Sequence, residues 1–241
     1  MKKIIYSLFV CLSLTMVSCD ESTEDPSFVT YYVDFEMKGS EVETVALGTP
    51  YVEPGVIAKE KGEDVSAKMQ VIGTEDIDVN QVGVYYITYA AENVDGYANS
   101  TSRMVVVYDP AITTDISGTY IAGEGTQREV KGEDGTWTAA GYSDFKVTLS
   151  QVAPGVFEVS DFLGGFYDQG KGYGAAYAMT GYAKLNADNT LEILSGDVAG
   201  FGDSYDEGTF VNAKYNPAGT PGDVQWTVGY AGMKFTVVLN K

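Results

Sequence analysis

The stretch that decides the fold is residues 224–239, which read VQWTVGYAGMKFTVVL. Apolar or aromatic residues occupy every second position from Val224 to Tyr230 and again from Met233 to Leu239. A period of two is typical of a β-strand with one buried face, and the Ala231-Gly232 pair between the two runs predicts a hairpin. The C-terminus is therefore predicted to be a strand within an antiparallel sheet.

The same alternation extends back along the chain to Phe28. It recurs over residues 31–37, 65–71 and 145–149, and two further runs (84–91 and 103–108) are rich in β-branched and aromatic residues. No window after the first residues has a sustained helical period, and Gly, Asn and Asp interrupt the chain at short intervals. We therefore predict an all-β protein. Its C-terminal part is expected to hold about seven or eight antiparallel strands, closed as a barrel or folded as a sandwich.

Residues 1–18 have the features of a signal peptide. Lys2 and Lys3 precede an uncharged apolar run, residues 4–17, that is too short to span a bilayer as a helix. The run ends at Ser18-Cys19, and this junction resembles the cleavage box of bacterial lipoproteins. The resemblance implies a lipid on Cys19 and hence a membrane as partner. Ordinary secretion with cleavage elsewhere is the alternative.

Residues 19–27 follow this box as an acidic segment that lacks a core-forming pattern. The segment resembles the acidic export tag of Bacteroidetes-type surface lipoproteins, which implies a location on the outer membrane, exposed at the cell surface. A plain solvated tether is the alternative. Cys11 lies in the predicted signal peptide and Cys19 would carry lipid, so no disulfide is expected in the mature protein.

Composition excludes several classes of function. The chain has 241 residues, with 15 Lys+Arg against 34 Asp+Glu, a net charge of −19, and no histidine. Catalysis by Ser-His-Asp or Cys-His groups needs a histidine, and a nucleic-acid surface needs a basic stripe. The sequence also has no P-loop, dinucleotide glycine motif or CxxC pair, so no cofactor is predicted.

Residues 28–109 resemble the bacterial surface-protein Ig-like domain that is common in Bacteroidetes lipoproteins. The resemblance is carried by 48–56 (GTPYVEPGV), 78–85 (DVNQVGVY), 93–96 (NVDG) and the closing valines 105–107. It implies an Ig-like β-sandwich that acts as a spacer. Within these motifs Pro54-Gly55 suits a type II turn and Asp95-Gly96 a hairpin, and neither requires chemistry.

The chain then passes through a short junction into a second domain. Pro110 ends the last Ig-like strand, and residues 110–115 form a linker so short that the two domains are expected to contact each other. Residues 116–241 are rich in Gly and aromatics. They resemble the C-terminal domain paired with this Ig-like module, through 153–165 (APGVFEVSDFLGG) and 185–191 (LNADNTL). This resemblance implies location and architecture only, since no activity is assigned to that family.

Two Gly- and aromatic-rich stretches, 161–182 and 200–207, are the candidate binding region. Aromatic faces suit the C–H surfaces of sugar rings, and carboxylates accept hydrogen bonds from sugar hydroxyls. The alternative is that these rings fill a core. The candidate ligand-binding residues for a glycan are Phe166, Tyr167, Asp168, Tyr173, Tyr177, Phe201, Asp203 and Tyr205.

Other functions stay open at this point. A structural or adhesive lipoprotein would bind an outer-membrane protein through its sheet edges or an exposed face. A glycoside hydrolase would need a pair of carboxylates, with Asp161, Asp168 and Glu192 as candidates. Oxygen ligands for Ca²⁺ would come from Asp203, Asp206 and Glu207, although the spacing matches no calcium loop, so no metal site is predicted. The preferred hypothesis is a non-catalytic, glycan-binding surface lipoprotein.

Overall fold

The computed structural model describes residues 29–219 and 223–241. The predicted signal peptide, Cys19 and the acidic segment lie outside the described residues, so these predictions stay open. In the described part of the chain no helix is long and apolar enough to cross a bilayer. The first seven strands are β1 (Asp34–Met37), β2 (Val42–Ala46), β3 (Val56–Glu60), β4 (Glu63–Asp64), β5 (Gln70–Ile72), β6 (Gly83–Glu92) and β7 (Ala98–Tyr108).

These strands form two sheets, as expected of an Ig-like sandwich. One sheet has the order β1-β3-β4 and the other the order β2-β7-β6-β5. All neighbours pair antiparallel except β2 and β7, which run parallel. The alternation in the sequence places one face of each strand inside. The core consists of Val45, Val56, Ile87, Tyr89, Val105 and Val107.

The alternating run 65–71 does not form the predicted continuous strand. Residues Ser66–Lys68 form a 3₁₀ turn, and only Gln70–Ile72 are extended. The Ser66 backbone N–H donates to the Asp64 carboxylate, and the Ser66 hydroxyl accepts a hydrogen bond from the Ala58 N–H. Such local bonds to side chains compete with a sheet ladder, which is why the period of two was misleading here.

A buried arginine holds the Ig-like domain together. The side chain of Arg103, on β7, is fully buried, and its Nε donates to the Glu53 carboxylate at 3.0 Å. Its terminal nitrogens donate to the backbone carbonyls of Lys38, Ser40 and Gly55. Arg103 therefore ties two turns, the one at 38–40 and the one at 53–55, to the central strand.

Replacing this arginine should destabilise the domain. Arg103→Met fills similar volume but leaves the Glu53 carboxylate without its cation and removes the guanidinium donors to three carbonyls, so the free energy of unfolding should fall by about 3 kcal/mol. Urea denaturation, followed by the circular dichroism of the backbone, measures this loss of stability. Lys59→Met is the control, because Lys59 pairs with Glu36 in an exposed ion pair and its loss should leave stability nearly unchanged. Equal effects of the two variants would contradict this role of Arg103.

The second half of the chain contributes eleven more strands and two short helical turns. The π-helical turn spans Phe166–Gly170, and a 3₁₀ turn spans Ala175–Tyr177. The strands are β8 (Gly118–Ala122), β9 (Gln127–Lys131), β10 (Trp137–Gly141), β11 (Lys146–Ala153), β12 (Val156–Val159), β13 (Thr180–Leu185), β14 (Leu191–Val198), β15 (Asp203–Ser204), β16 (Val211–Tyr215), β17 (Val224–Tyr230) and β18 (Met233–Asn240).

Eight of these strands close into a barrel. Antiparallel pairs run in the order β8-β11-β12-β13-β14 on one side and β16-β17-β18-β8 on the other. A bridge between Thr190 and Lys214 joins β16 to the start of β14 and completes the ring. The β9–β10 hairpin extends from β18, and the short β15 pairs with the end of β14. The fold is thus all-β, and of the two predicted architectures the second domain is the barrel.

The C-terminal hairpin forms as the sequence predicts. β17 and β18 pair in register from Val224–Leu239 to Tyr230–Met233. Ala231 and Gly232 both have positive φ, +52° and +72°, which matches the twist of a two-residue hairpin turn. The inward side chains of β17 and β18, including Trp226 and Phe235, are part of the barrel core.

The two domains contact each other, as the short junction predicts. Residues Tyr32–Lys241 form one compact unit. Val106 of β7 packs with Ala153 and Val156 of the β11–β12 hairpin in a small apolar cluster. Burial, and after it the neighbouring Tyr86 side chain of the Ig-like domain, raises the pKa of Tyr182 in the barrel, so these two tyrosines also lie at the junction of the domains.

Candidate functional site

The candidate region is a loop whose two ends are held by one carboxylate. Asp161 is buried, and its oxygens accept hydrogen bonds from the backbone N–H groups of Leu163 (2.8 Å), Gly165 (3.0 Å) and Met179 (3.1 Å). The Phe162 N–H also donates to the Met179 carbonyl at 2.8 Å. Because Leu163 begins the loop and Met179 ends it, Asp161 fixes both ends against the barrel.

Glycines let this loop and its neighbour fold closely. Gly165 has φ +83°, and a Cβ there would lie 2.4 Å from Cβ of Phe145. Gly200, in the next loop, lies directly under a ring: a Cβ would meet the Tyr177 ring at 2.8 Å. The Gly200 N–H donates to the Ala176 carbonyl at 2.6 Å, which links the two loops. The missing side chain of Gly200 thus makes room for the Tyr177 ring.

Four rings from these two loops form a closed cycle, which we call the aromatic platform: Tyr167, Tyr173, Tyr177 and Phe201. Successive ring centroids lie 6.0, 5.5, 4.8 and 5.4 Å apart around the cycle. Tyr173 is 54% exposed and Phe201 46% exposed, while Tyr167 and Tyr177 are partly buried. Two of the rings therefore present apolar surface to solvent and the other two support them from within.

A buried tyrosine supports the platform and connects it to an acid at the edge. The Tyr230 ring centroid lies 6.1 Å from that of Tyr167 and 6.4 Å from that of Phe201. Its hydroxyl donates to the exposed Asp203 carboxylate at 2.6 Å. Burial, together with this carboxylate, raises the pKa of Tyr230, so the hydroxyl stays a donor. Asp203 is thereby held beside Phe201 with further lone pairs available to a ligand.

The remaining predicted residues divide between the core and the loop. Phe166 is only 9% exposed and packs against Tyr142 and Phe235, so the prediction that it contacts a ligand is corrected: its ring is needed in the barrel core. Tyr205 is half-buried and also packs against that core. Asp168 is half-buried on the π-helical turn, next to Tyr167.

Two cations near the platform were not identified from the sequence. The Arg128 guanidinium lies 4.9 Å from the Phe166 ring centroid, and Lys171 Nζ lies 5.3 Å from it. Phe166 in turn lies 4.9 Å from Tyr167 of the platform. Arg128 comes from β9, which is more than thirty residues away in the chain, and no local pattern could have associated it with this loop.

Trp137 was likewise missed. It begins the fully exposed edge strand β10, is 37% exposed, and has Lys234 Nζ at 4.2 Å and Lys131 Nζ at 6.0 Å from its ring. With Asp206 and Asn212 it lines a groove of about 550 Å³. An adjoining groove of about 680 Å³ shares Asn212. These grooves are a second location for a ligand. Every residue of β10 is exposed, so the strand has no alternation of polar and apolar residues that could have drawn attention to Trp137.

Two of the acids considered as calcium ligands accept hydrogen bonds from other groups of the protein. Asp203 accepts the hydroxyl of Tyr230, and Asp206 accepts the Gly232 N–H at 3.0 Å. Within residues 29–219 and 223–241 no group of three or more His, Cys, Asp or Glu side chains could hold a metal ion.

The carboxylates considered for glycoside hydrolysis are also engaged. Burial raises the pKa of Asp161 to about 7 against the opposing effect of its three N–H donors, but the side chain is closed off from solvent. Glu192 accepts a hydrogen bond from Asn186 at 2.9 Å and pairs with Lys184 at 3.1 Å, and these partners lower its pKa. Asp161 and Glu192 are therefore each engaged in separate hydrogen bonds within the protein.

Asp161→Asn tests the loop anchor. At pH 4 the folded protein holds Asp161 as the neutral acid, whose hydroxyl oxygen can still accept from a backbone N–H; the amide nitrogen of asparagine cannot, so the free energy of unfolding should fall by about 1–3 kcal/mol. Because the folded-state pKa of Asp161 is raised, its contribution is full below about pH 4 and is lost as pH rises to about 7. The difference between wild type and variant should therefore shrink from pH 4 to pH 8.

Asp188→Asn is the control of opposite sign. Hydrogen bonds from Thr190 lower the pKa of the exposed Asp188, so its contribution is lost as pH falls below about 4. Denaturation curves at several pH values measure the stability of wild type, Asp161→Asn and Asp188→Asn. A stability difference at Asp161 that grows with pH would show that the folded protein prefers the ionised carboxylate.

Comparisons with known proteins place the chain in a family. A model of the bacterial surface protein Ig-like domain matches residues 35–107, and a second model, described as a C-terminal domain, matches residues 109–241. No curated protein matches. Among solved structures, a carbohydrate-binding module structure from Clostridium perfringens ZmpB, CBM51-2 in complex with GlcNAc and INT domains, is 16% identical with a TM-score of 0.27. It covers 53% of this chain and 28% of that one, too distant to support an argument.

A crystal structure of the lipoprotein BT2262 from Bacteroides thetaiotaomicron is much more similar. It is 40% identical, with a TM-score of 0.47, over 87% of this chain and all of that one. Sequence identity at this level over almost the whole chain, together with a family model that covers more than half of it, identifies common descent. The chain belongs to the family of the Bacteroides lipoprotein BT2262, with a bacterial surface Ig-like domain followed by the C-terminal domain of that family.

Proposed function

We propose that this protein is a non-catalytic lipoprotein, anchored to the outer membrane by a lipid on Cys19 and facing outwards, that binds a glycan on the aromatic platform. The Ig-like domain is the spacer that holds the barrel away from the membrane. The observation that carries the proposal is the pair of exposed rings, Tyr173 and Phe201, supported by Tyr167 and Tyr177.

The chemistry of the platform suits a sugar. Aromatic faces attract the C–H groups on one side of a pyranose ring, and the hydroxyls at its edge need acceptors. Asp203, fixed by Tyr230, stands beside Phe201, and Asp168 lies next to Tyr167. A sugar stacked on Phe201 or Tyr173 would donate its hydroxyls to these carboxylates.

The platform is also preorganised. Each ring contacts two others in the cycle, and Asp161 fixes the loop that carries three of them. A rigid surface loses little conformational entropy when a ligand binds, so a few ring contacts can give useful affinity. Exposed rings held in this way suit recognition better than they suit the core.

Relatives support the proposed location. BT2262 is a lipoprotein, and the first domain is of a type found in bacterial surface proteins. The residues that would direct export and lipidation, 1–27, have the pattern of a lipoprotein signal and an acidic segment. The short interdomain junction and the apolar cluster at Val106 would make the spacer and the barrel move together.

A protein partner is the second candidate function, and one observation favours it. The ring centroids of Tyr32 and Tyr97 lie 6.0 Å apart on the Ig-like domain. Each of these residues is 53% exposed, and Val94 in the neighbouring turn is also exposed. An exposed apolar patch of this kind is a common feature of protein interaction sites. An outer-membrane protein that contacts this patch would give the protein an adhesive or structural role.

Removing either exposed ring should weaken glycan binding. Tyr173→Ala and Phe201→Ala each remove a stacking face, so each should weaken binding by about 2 kcal/mol, roughly 30-fold. Isothermal titration against plant, host and microbial glycans measures the affinity, and circular dichroism confirms the fold. Trp137→Ala is the matched control, because it removes an exposed ring from the other groove. Loss of binding in Trp137→Ala alone would place the ligand there, and a wild type that binds no glycan would contradict the proposed function.

Lipidation at Cys19 is tested separately. Cys19→Ala should prevent incorporation of a labelled fatty acid and move the protein from the membrane fraction to the soluble one, because no other residue offers the thiol that is lipidated in the mature chain. Cys11→Ala is the control and should leave the label unchanged. Protease treatment of whole cells then distinguishes an outward-facing protein from a periplasmic one.

A further inference from the structure

The chain has two arginines, and their surroundings differ sharply. Arg103 is surrounded by acceptors, with a glutamate and three carbonyls on its guanidinium. The guanidinium of Arg128 has no hydrogen bond and no ion pair with any residue of 29–219 or 223–241, and its Nε is buried without an acceptor. In a chain with 34 acids, an arginine without a carboxylate partner is unexpected.

Arg128 lies where a ligand on the aromatic platform could reach it. On β9 its Cα pairs with that of Phe235, whose ring packs against Phe166 and Tyr167. The guanidinium lies on Phe166, only one ring from the platform, and it is close enough to Tyr167 to oppose the rise in the pKa of that hydroxyl. Lys171, which is exposed, adds a second positive charge over Phe166.

We propose that the glycan carries an acidic group, a carboxylate as on a uronic or sialic acid, and that Arg128 binds it while the sugar rings stack on Tyr173 and Phe201. This inference rests on the proposed function, since it names the ligand class of the same site. Lys171 contributes long-range attraction, and Arg128 is the specificity-determining residue.

The choice of arginine fits this role. A guanidinium presents a planar pair of N–H donors that matches a carboxylate, whereas a neutral hydroxyl uses only one of them and leaves the charge uncompensated. The net charge of −19 opposes the approach of a polyanion, so a single acid placed at Arg128 is recognised by local contact rather than by the field of the whole protein. Sulfate on a sugar is the other source of negative charge.

The experiment compares ligands that differ only in charge. Isothermal titration uses uronate- and sialate-bearing oligosaccharides, their methyl esters, and sulfated and neutral oligosaccharides, against the full mature protein. The acids should bind roughly 10- to 100-fold more tightly than their esters. Tighter binding of sulfated sugars alone would assign the charge to sulfate and overturn the carboxylate. Equal affinity for acids and esters would overturn the inference and leave the proposed function intact, and binding of no glycan would overturn the proposed function itself.

Variants assign the effect to Arg128. Arg128→Met keeps the packing on Phe166 and should remove the preference for acid over ester without loss of binding to the neutral sugars. Arg128→Lys should retain part of the preference, because the charge remains while the paired donors are lost. Lys68→Gln makes the same charge change on an exposed site of the Ig-like domain and should have no effect. If Arg128→Met does not fold, Arg128→Lys and Lys171→Gln still test the inference, and a full preference in both would contradict it.

Discussion

The binding region depends on the carboxylate of Asp161, which receives three backbone N–H groups from two ends of one loop. A loop with many glycines has a high conformational entropy when unfolded, and without such an anchor it would not hold aromatic rings at fixed distances. The anchor is buried under Phe162 and Leu163, so its hydrogen bonds are protected from water. Because the loop is fixed in this way, Tyr167 and Tyr177 can contact Phe201 from another loop.

The protein uses a similar arrangement twice, once with donors and once with acceptors. In the Ig-like domain the buried guanidinium of Arg103 donates to carbonyls and a carboxylate from two turns, and in the barrel the buried carboxyl group of Asp161 accepts from backbone N–H groups. Both side chains organise irregular backbone in domains whose described residues cannot form disulfides. In both places one buried side chain satisfies several backbone groups that no sheet ladder reaches.

Sequence reasoning located the candidate site but did not separate its surface from its core. Tyr173 and Phe201 were expected to be exposed and are, whereas Phe166, from the same stretch, lies in the core. Glycine-rich loops lack a period, so nothing local tells which ring points outwards. Arg128 and Trp137 were not identified because their neighbours in space, Phe166 and Lys234, are distant in the chain.

The sequence by itself determined the strand content, the Ig-like domain, the C-terminal hairpin and the region that carries the rings, because alternation and turn residues act over a few neighbouring positions. The tertiary structure decided that the second domain is a closed barrel and which rings of the two loops form one platform. It also placed an arginine from β9 on Phe166, one ring away from the platform. Closure depends on the Thr190–Lys214 bridge, and the platform on contacts between separate loops. Such long-range contacts are set by packing of the whole barrel, and no local pattern encodes them.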